Sequence, residues 1–195
     1  MPEPIHLAIL ASGSGSNAAS ILEHFQSSSE VKVAFVGCNR PPEKAAIYER
    51  TRSFGMETEF FSIADLTEGR LLRTLLERGI DWVALAGFLA RVPADFVRAF
   101  GGRMLNVHPS LLPKFGGQGM YGMHVHKAVI EAGESESGMT VHWVTEAYDE
   151  GAIVFQAACE VKEDDTPELL ADRVLQMEHQ YYPRAIAACI ATATA

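Results

Sequence analysis

Short apolar runs alternate with amphipathic stretches from Ile5 to Val107, and this alternation restricts the possible fold more than any other feature of the chain. Four short, nearly continuous apolar blocks predict buried parallel strands: Ile5–Ala11, Lys32–Gly37, Trp82–Ala86 and Met104–Val107. A weaker strand and four helices are predicted around them: Glu57–Phe61, and Ala18–Gln26, Glu43–Phe54, Glu68–Arg78 and Ala94–Ala99. This β-α-β order predicts an α/β fold, with a mostly parallel twisted sheet flanked by helices.

The pattern changes after Pro109, where a loop rich in glycine and proline follows. The next elements predicted are one helix and two strands, at Met123–Ala132, Met139–Val144 and Ala152–Val161. The strands are close in sequence, so we expect antiparallel strands in the C-terminal part of the chain. Thr166 is the predicted N-cap of a last helix that reaches about Ala188, with Pro167 at its first position.

Length and composition indicate one globular domain. The chain has 195 residues, 48% of them hydrophobic and 21% charged, which is ordinary for a soluble protein. We expect a single domain over 1–195, with an N-terminal half of about 1–100 and a C-terminal half of about 101–195. Three widely spaced cysteines argue against a disulfide framework or a zinc site and favour the cytoplasm. We expect no metal.

Charge and hydropathy restrict the partners. The formal net charge is −9, which argues against a nucleic-acid surface, because phosphate binding requires clustered lysine and arginine. The N-terminal apolar run lacks a basic leader, and no stretch approaches the ~20 apolar residues of a membrane span. We therefore expect small-molecule substrates, no nucleic acid, no membrane, and a monomer or weak homodimer.

Ser12–Asn17 predicts a glycine-rich turn between the first strand and the first helix. Gly13 and Gly15 let a ligand approach the main chain, and Ser16 and Asn17 are good N-cap types. The exposed N–H groups of such a turn favour a phosphate. The alternative is a capped helix with no ligand. The turn is neither a P-loop, since no lysine follows, nor a dinucleotide-binding motif, since position 18 is alanine.

A polar segment follows the apolar run from Met104 and offers groups for acyl transfer. Asn106 and His108 are two residues apart, so on an extended segment they point to the same side. An amide NH₂ can stabilise an oxyanion, and an imidazole can move a proton near neutral pH. The alternatives are an Asn bonded to its own backbone and a structural His before Pro109. Asp149 is a further candidate, although a solvated turn residue is the better explanation of it from the residues alone.

Three motifs carry a resemblance to a known family. The run 106–113, Asn-Val-His-Pro-Ser-Leu-Leu-Pro, resembles the core signature of the folate-dependent formyltransferases. Ser12–Asn17 and Tyr148–Gly151 resemble the branch of that family that formylates glycinamide ribonucleotide. The resemblance extends from about Leu7 to Pro183. It implies a Rossmann-like formyltransferase fold that transfers the formyl group of 10-formyltetrahydrofolate, a co-substrate, to the amine of 5-phosphoribosylglycinamide in purine biosynthesis.

The resemblance also implies a role for several residues. Gly15, Ser16 and Asn17 would hold the nucleotide 5′-phosphate, and Glu178 would contact its sugar, although a surface glutamate is the alternative for Glu178. Ala18 departs from the family, which usually has a large apolar residue there. The folate would be bound by Asn106, by the loop Thr145–Asp149 and by the segment after the fourth strand, formed by Phe88, Leu89, Ala90, Arg91 and Val92. Family members often have arginine in place of Ala90, and ordinary strand-to-helix packing is the alternative for this segment.

In catalysis, Asn106, His108 and Asp149 would stabilise the tetrahedral intermediate and move protons, and Asp149 would make His108 more basic than a free imidazole. His124 and His126 diverge on a predicted helix, which disfavours metal binding, and His142 on a predicted strand favours a packed core residue. The glycine-rich run 115–122 predicts either a mobile flap or a structural excursion.

Three other readings remain open. Hydrolysis of 10-formyltetrahydrofolate would replace the amine by water, but that enzyme usually has an extra N-terminal regulatory domain, which we expect to be absent. Formylation of methionyl-tRNA is disfavoured by the negative charge and by the expected lack of a C-terminal extension. A non-catalytic nucleotide-binding module would explain the glycine turn but would leave Asn106, His108 and Asp149 without a role.

Overall fold

The computed structural model describes residues 3–194. The chain divides into two compact units, one ending at Leu105 and the other beginning at Asn106. Each unit has its own sheet strands, helices and buried side chains, and each is described separately.

The first unit is a parallel sheet with helical connections. Its strands are β1 (Ile5–Ala11), β2 (Val31–Cys38), β3 (Thr58–Phe60) and β4 (Trp82–Leu85), in the order β3-β2-β1-β4. Each neighbouring pair runs parallel. The helices are α1 (Ser16–Phe25), α2 (Ile47–Arg52), α3 (Ile63–Thr67), α4 (Arg70–Glu77) and α5 (Ala94–Ala99). Residues 7–11 of β1 are fully buried, as expected for a central parallel strand.

Two predicted helices of this unit are wrong in detail. The predicted helix Glu43–Phe54 is a 3-10 turn at Pro42–Lys44 followed by α2, because Ala45 between them is extended, with φ −146°. The predicted helix Glu68–Arg78 corresponds to α4 alone. Gly69, with φ +74°, separates it from α3, a short helix that the prediction missed. Ser62 and Asp65 form a capping box at the start of α3, and this pattern was visible in the sequence.

Strand β5 (Met104–His108) carries the chain from the first unit into the second. The second unit contains β6 (Glu136–Trp143) and β7 (Ile153–Glu160) in the order β5-β6-β7, with β6 and β7 antiparallel, and the helices α6 (Met123–Glu131) and α7 (Pro167–Thr194). The predicted α/β class, with parallel strands first and antiparallel strands in the C-terminal part, is confirmed.

Helix α7 starts as predicted and ends later than predicted. Leu169 N–H donates to Thr166 Oγ1 over 3.3 Å, with Pro167 as the first helical residue. The helix continues past Ala188 to Thr194, because this stretch has neither glycine nor proline to stop it. Among residues 3–194, no helix combines the length and apolar character needed to cross a bilayer.

Candidate active site

The end of β5 brings two of the predicted catalytic residues to a polar cluster in the second unit. His108 is buried, with 4% of its surface exposed, and Asn106 is half-buried. His108 Nδ1 lies 3.5 Å from Asp149 Oδ2, and Asn106 Nδ2 lies 3.1 Å from His142 Nε2. We define the polar cluster as Asn106, His108, His142 and Asp149.

Asp149 lies between the two imidazoles of this cluster. Its Oδ1 atom is 3.5 Å from His142 Nε2, and its Oδ2 atom accepts a hydrogen bond of 2.9 Å from the Gly117 backbone N–H. The residue adopts φ +54°, a left-handed conformation that aspartate tolerates better than most side chains. The loop between β6 and β7 therefore directs this carboxylate towards the end of β5. A solvated turn residue would point away from it.

His142 is the residue of this cluster that sequence reasoning missed. It is buried, as expected for a packed core residue, but its ring contacts Asn106 and Asp149. A signal was present: Thr140 and His142 alternate along β6 and therefore share a face. Thr140 Oγ1 donates to the Ser110 carbonyl over 2.6 Å, so that face of β6 is directed at the segment following β5.

The prediction that His108 is more basic than a free imidazole is wrong, although Asp149 does raise the pKa of His108. Burial disfavours the imidazolium and lowers the pKa of His108, and this outweighs the opposing effects of Asp149 and of the Phe115 carbonyl. Burial would raise the pKa of Asp149, but its contact with His142 and the Gly117 N–H hold that pKa below the usual value. At neutral pH the cluster therefore contains a neutral imidazole at His108 beside an ionised carboxylate.

The glycine-rich run 115–122 lies against this cluster. His108 Nε2 donates a hydrogen bond of 2.7 Å to the Phe115 carbonyl, because a carbonyl can only accept. Phe115 has φ +55°, and Gly117 has φ +92°. The segment 115–117 thus contacts both His108 and Asp149 through its backbone.

A buried polar network fixes the turn between β5 and this run. Thr140 Oγ1 accepts from the Leu112 backbone N–H over 3.0 Å, and Gln156 Nε2 donates to the Leu112 carbonyl over 3.0 Å. Ser110 Oγ donates to the Lys114 carbonyl over 2.8 Å. These bonds satisfy the backbone of an irregular buried segment, which would otherwise be costly to desolvate.

The predicted glycine turn lies in the first unit, between β1 and α1. The N-cap of α1 is Gly15, with φ +71° and no side-chain capping bond, and Ser16 is the first helical residue. A Cβ at Gly15 would lie 2.4 Å from Ile47 Cγ1, so only glycine fits there. Asn17 is buried and Ser16 half-buried. The predicted capping role of Ser16 and Asn17 is therefore wrong.

The predicted folate segment lies next to this turn in the first unit. Ser12, itself buried, donates its backbone N–H to the Gly87 carbonyl over 3.1 Å, and its Oγ accepts from the Leu89 N–H over 2.9 Å. Leu89 is 43% exposed, and Val92 is buried in the core. Phe88 packs near Phe61, with ring centroids 6.0 Å apart. Leu89 therefore has accessible apolar surface, whereas Val92 serves packing.

Glu178 lies on α7 and is 7% exposed, so it is a buried carboxylate and the alternative of a surface helix glutamate is wrong. Its burial distinguishes Glu178 from the exposed Glu168 at the start of the same helix. Within the described range 3–194, no three His, Cys, Asp or Glu side chains group in a way that could hold a metal ion.

Comparison with known proteins gives the family. Residues 5–186 match the family model described as formyl transferase. The chain is 42% identical over 194 residues to a protein of Arabidopsis thaliana named phosphoribosylglycinamide formyltransferase, chloroplastic, covering 96% of this chain and 66% of that protein. It is 37% identical over 187 residues to the trifunctional purine biosynthetic protein adenosine-3 of Drosophila melanogaster, covering 93% of this chain and 14% of that protein.

Solved structures are similar to this chain over a larger share of the matched chain. Glycinamide ribonucleotide transformylase 1 from Symbiobacterium toebii has a TM-score of 0.86 at 36% identity, over 95% of this chain and 87% of that chain. The phosphoribosylglycinamide formyltransferase of Anaplasma phagocytophilum has a TM-score of 0.87 at 32% identity, over 97% and 89%. The chain spans 60–66% of the length of the plant relatives it matches. The chain belongs to the formyl transferase family.

Proposed function

We propose that this protein transfers the formyl group of 10-formyltetrahydrofolate to the amine of 5-phosphoribosylglycinamide, a step of de novo purine (IMP) biosynthesis. The observation that carries the proposal is the polar cluster of Asn106, His108, His142 and Asp149. The sequence predicted an amide donor, an imidazole and a carboxylate at three separate positions. In the structure His108 contacts Asp149 directly at 3.5 Å, and His142 connects Asn106 to Asp149 through contacts of 3.1 and 3.5 Å. The names of the related proteins indicate the substrate class.

Asn106 is proposed to stabilise the oxyanion. The substrate amine attacks the formyl carbon, and the carbonyl oxygen becomes negatively charged in the tetrahedral intermediate. One well-placed donor of this type lowers the barrier by roughly 3–4 kcal/mol. Collapse of the intermediate breaks the bond between the formyl carbon and the folate nitrogen, which leaves with a proton.

His108 is proposed to move that proton from the attacking amine to the departing folate nitrogen. Because burial lowers its pKa, the imidazole is neutral at pH 7 and available as a base. Asp149 stabilises the imidazolium that forms during turnover, since its carboxylate lies 3.5 Å from the ring. We propose that no step of this reaction uses a metal ion.

The nucleotide phosphate is proposed to bind Gly15, Ser16 and Asn17, where α1 begins, and the sugar to contact Glu178. The folate is proposed to bind Asn106 and the segment after β4, formed by Phe88, Leu89, Ala90, Arg91 and Val92. Exposed Leu89 supports this role, because a flat heterocycle needs apolar contact surface.

The remaining parts of the proposal are a single functional domain, a monomer or weak homodimer, and a cytoplasmic location inferred from the isolated cysteines. Two plant relatives are named chloroplastic, which describes those proteins. Sedimentation and subcellular imaging test these points directly.

The test of function is formyl transfer from 10-formyltetrahydrofolate, followed at the folate chromophore with and without 5-phosphoribosylglycinamide, for wild type and His108→Ala. Turnover that requires the nucleotide and is lost in the variant supports the proposal. Equal folate turnover without nucleotide would indicate hydrolysis instead. Nucleotide binding with no turnover of any kind would indicate a binding module.

A further inference from the structure

We propose that His142 is a positioning residue for Asn106. The inference is that a neutral His142, protonated on Nδ1, accepts a hydrogen bond at Nε2 from the Asn106 amide and so fixes which edge of that amide is presented. This deepens the proposed function, because it rests on Asn106 as the oxyanion donor.

The backbone sets the tautomer of His142. Its Nδ1 atom lies 3.0 Å from the Trp143 carbonyl oxygen, and a carbonyl oxygen can only accept a hydrogen bond. Nδ1 must therefore carry a proton. A neutral imidazole has only one N–H, so Nε2 is left as an acceptor.

The tautomer in turn sets the orientation of Asn106. Nε2 of His142 lies 3.1 Å from the Asn106 amide nitrogen. The NH₂ edge can donate to this lone pair, whereas the carbonyl edge would place two acceptors against each other. In the fixed orientation one amide N–H points to His142 and the second remains for the developing oxyanion.

Asp149 favours the competing state of His142, because a nearby carboxylate stabilises an imidazolium. The Asn106 amide nitrogen, 3.1 Å from Nε2, is placed instead for the neutral ring, whose Nε2 can accept. The titratable groups that face this ring are Asp149, whose Oδ1 atom is 3.5 Å from Nε2, and His108. A doubly protonated His142 would donate from Nε2 to the carboxylate and would favour the carbonyl edge of Asn106. The Gly117 N–H occupies the other oxygen of Asp149, and His142 is only 3% exposed, so water does not compete for Nε2.

The first test is spectroscopic and needs no activity. In ¹⁵N-histidine-labelled protein, the two ring nitrogens of His142, assigned by comparison with His142→Gln, report their protonation separately. We expect a protonated Nδ1 and a bare Nε2 at neutral pH. A proton on Nε2, in either the other tautomer or the cation, would overturn the proposal.

The second test is kinetic. His142→Leu is expected to lower kcat about 10²-fold, the typical effect of losing one oriented donor, with KM for both substrates within about threefold. His142→Gln keeps an acceptor for Asn106 and should restore at least part of kcat. Val141→Ala, on the same strand and fully buried, is the control: it should lower the Tm and leave kcat unchanged. Equal kcat losses in His142→Leu and Val141→Ala would assign His142 a structural role only.

A double-mutant cycle separates this proposal from other effects of His142. If His142 acts through Asn106, His142→Leu should change kcat less than threefold in an Asn106→Ala background. A full 10²-fold further loss would contradict the proposal. If wild type shows no formyl transfer, the proposed function fails, and the ring-nitrogen spectrum still decides the tautomer.

Discussion

The Nδ1 atom of His108 lies 3.5 Å from Oδ2 of Asp149, and His108 is nevertheless less basic than a free imidazole. Burial of the ring outweighs the carboxylate, so proximity to a negative charge does not by itself set the protonation state of this histidine. At pH 7 the pair therefore combines a neutral imidazole with an ionised carboxylate.

Asp149→Asn should shift the acid limb of kcat/KM to lower pH. The carboxylate raises the pKa of His108 against the effect of burial, so its removal lowers that pKa further, and the neutral base persists to lower pH. We also expect kcat at neutral pH to fall by about 10²-fold, with smaller changes in substrate binding. The measurement is the pH profile of kcat and kcat/KM, with exposed Glu150→Gln as the control. An unchanged kcat would remove Asp149 from the mechanism.

His126→Leu should make the protein less sensitive to acid. Burial and, to a smaller extent, the nearby His108 lower the pKa of His126 from 6.5 to about 4. Between pH 6.5 and about pH 4, His126 binds a proton in the unfolded chain but not in the folded chain. The free energy of unfolding therefore falls as the pH falls through this range. The loss between pH 7 and pH 5 is about 2 kcal/mol for this residue.

Urea unfolding at pH 7 and pH 5 measures this difference. His124→Leu, two residues away on the exposed face of α6, is the matched control and should keep the wild-type acid sensitivity. Equal pH dependence in wild type and His126→Leu would show that His126 does not carry this effect. Some acid sensitivity should remain in His126→Leu, because burial also lowers the pKa of His108.

Gly15→Ala should weaken nucleotide binding and destabilise the first unit. The residue has φ +71°, and an added Cβ would lie 2.4 Å from Ile47 Cγ1. We expect about 1–3 kcal/mol of lost stability and at least a tenfold rise in KM for 5-phosphoribosylglycinamide. Gly13→Ala is the control, because a Cβ there meets no atom within 4 Å. Similar KM values for the two variants would argue against phosphate binding at this turn.

Glu178→Gln should raise KM for the nucleotide with little change in kcat. The charge-assisted hydrogen bond that we propose from the sugar hydroxyl to this carboxylate would weaken, which corresponds to about a tenfold loss of affinity. Exposed Asp172→Asn, on the same helix, should bind nucleotide like wild type. Isothermal titration with 5-phosphoribosylglycinamide distinguishes the two. A large fall in kcat with unchanged affinity would place Glu178 in another role.

Strand and helix positions set by hydrophobic pattern were predictable from this sequence. Strand β1 and helix α5 have the predicted bounds, because a continuous apolar run and a proline-led amphipathic stretch leave few alternatives. Helix α3 was missed because its five residues are too short to establish a period, although its capping box was readable. The pairing of Asn106 and His108 on one side of β5 followed from the two-residue repeat of a strand.

Properties that depend on tertiary burial were not predictable. The basicity of His108 depends on how deeply β5 lies, and the sequence gives no measure of that depth. The contact between His142 and Asn106 joins strands 36 residues apart and depends on the neighbouring order of β5 and β6. The burial of Glu178 likewise depends on which face of α7 packs.

Ile47 packs against the glycine turn, and its side chain lies where a Cβ at Gly15 would be placed. Ile47 itself is fully buried and cannot meet a ligand. The shape of the turn at Gly15 is therefore restricted from the interior, by a core side chain. A larger residue at 47 would press on the turn without any change in the turn's own sequence. A smaller residue would remove the clash but keep the preference for glycine, because φ at position 15 is +71°.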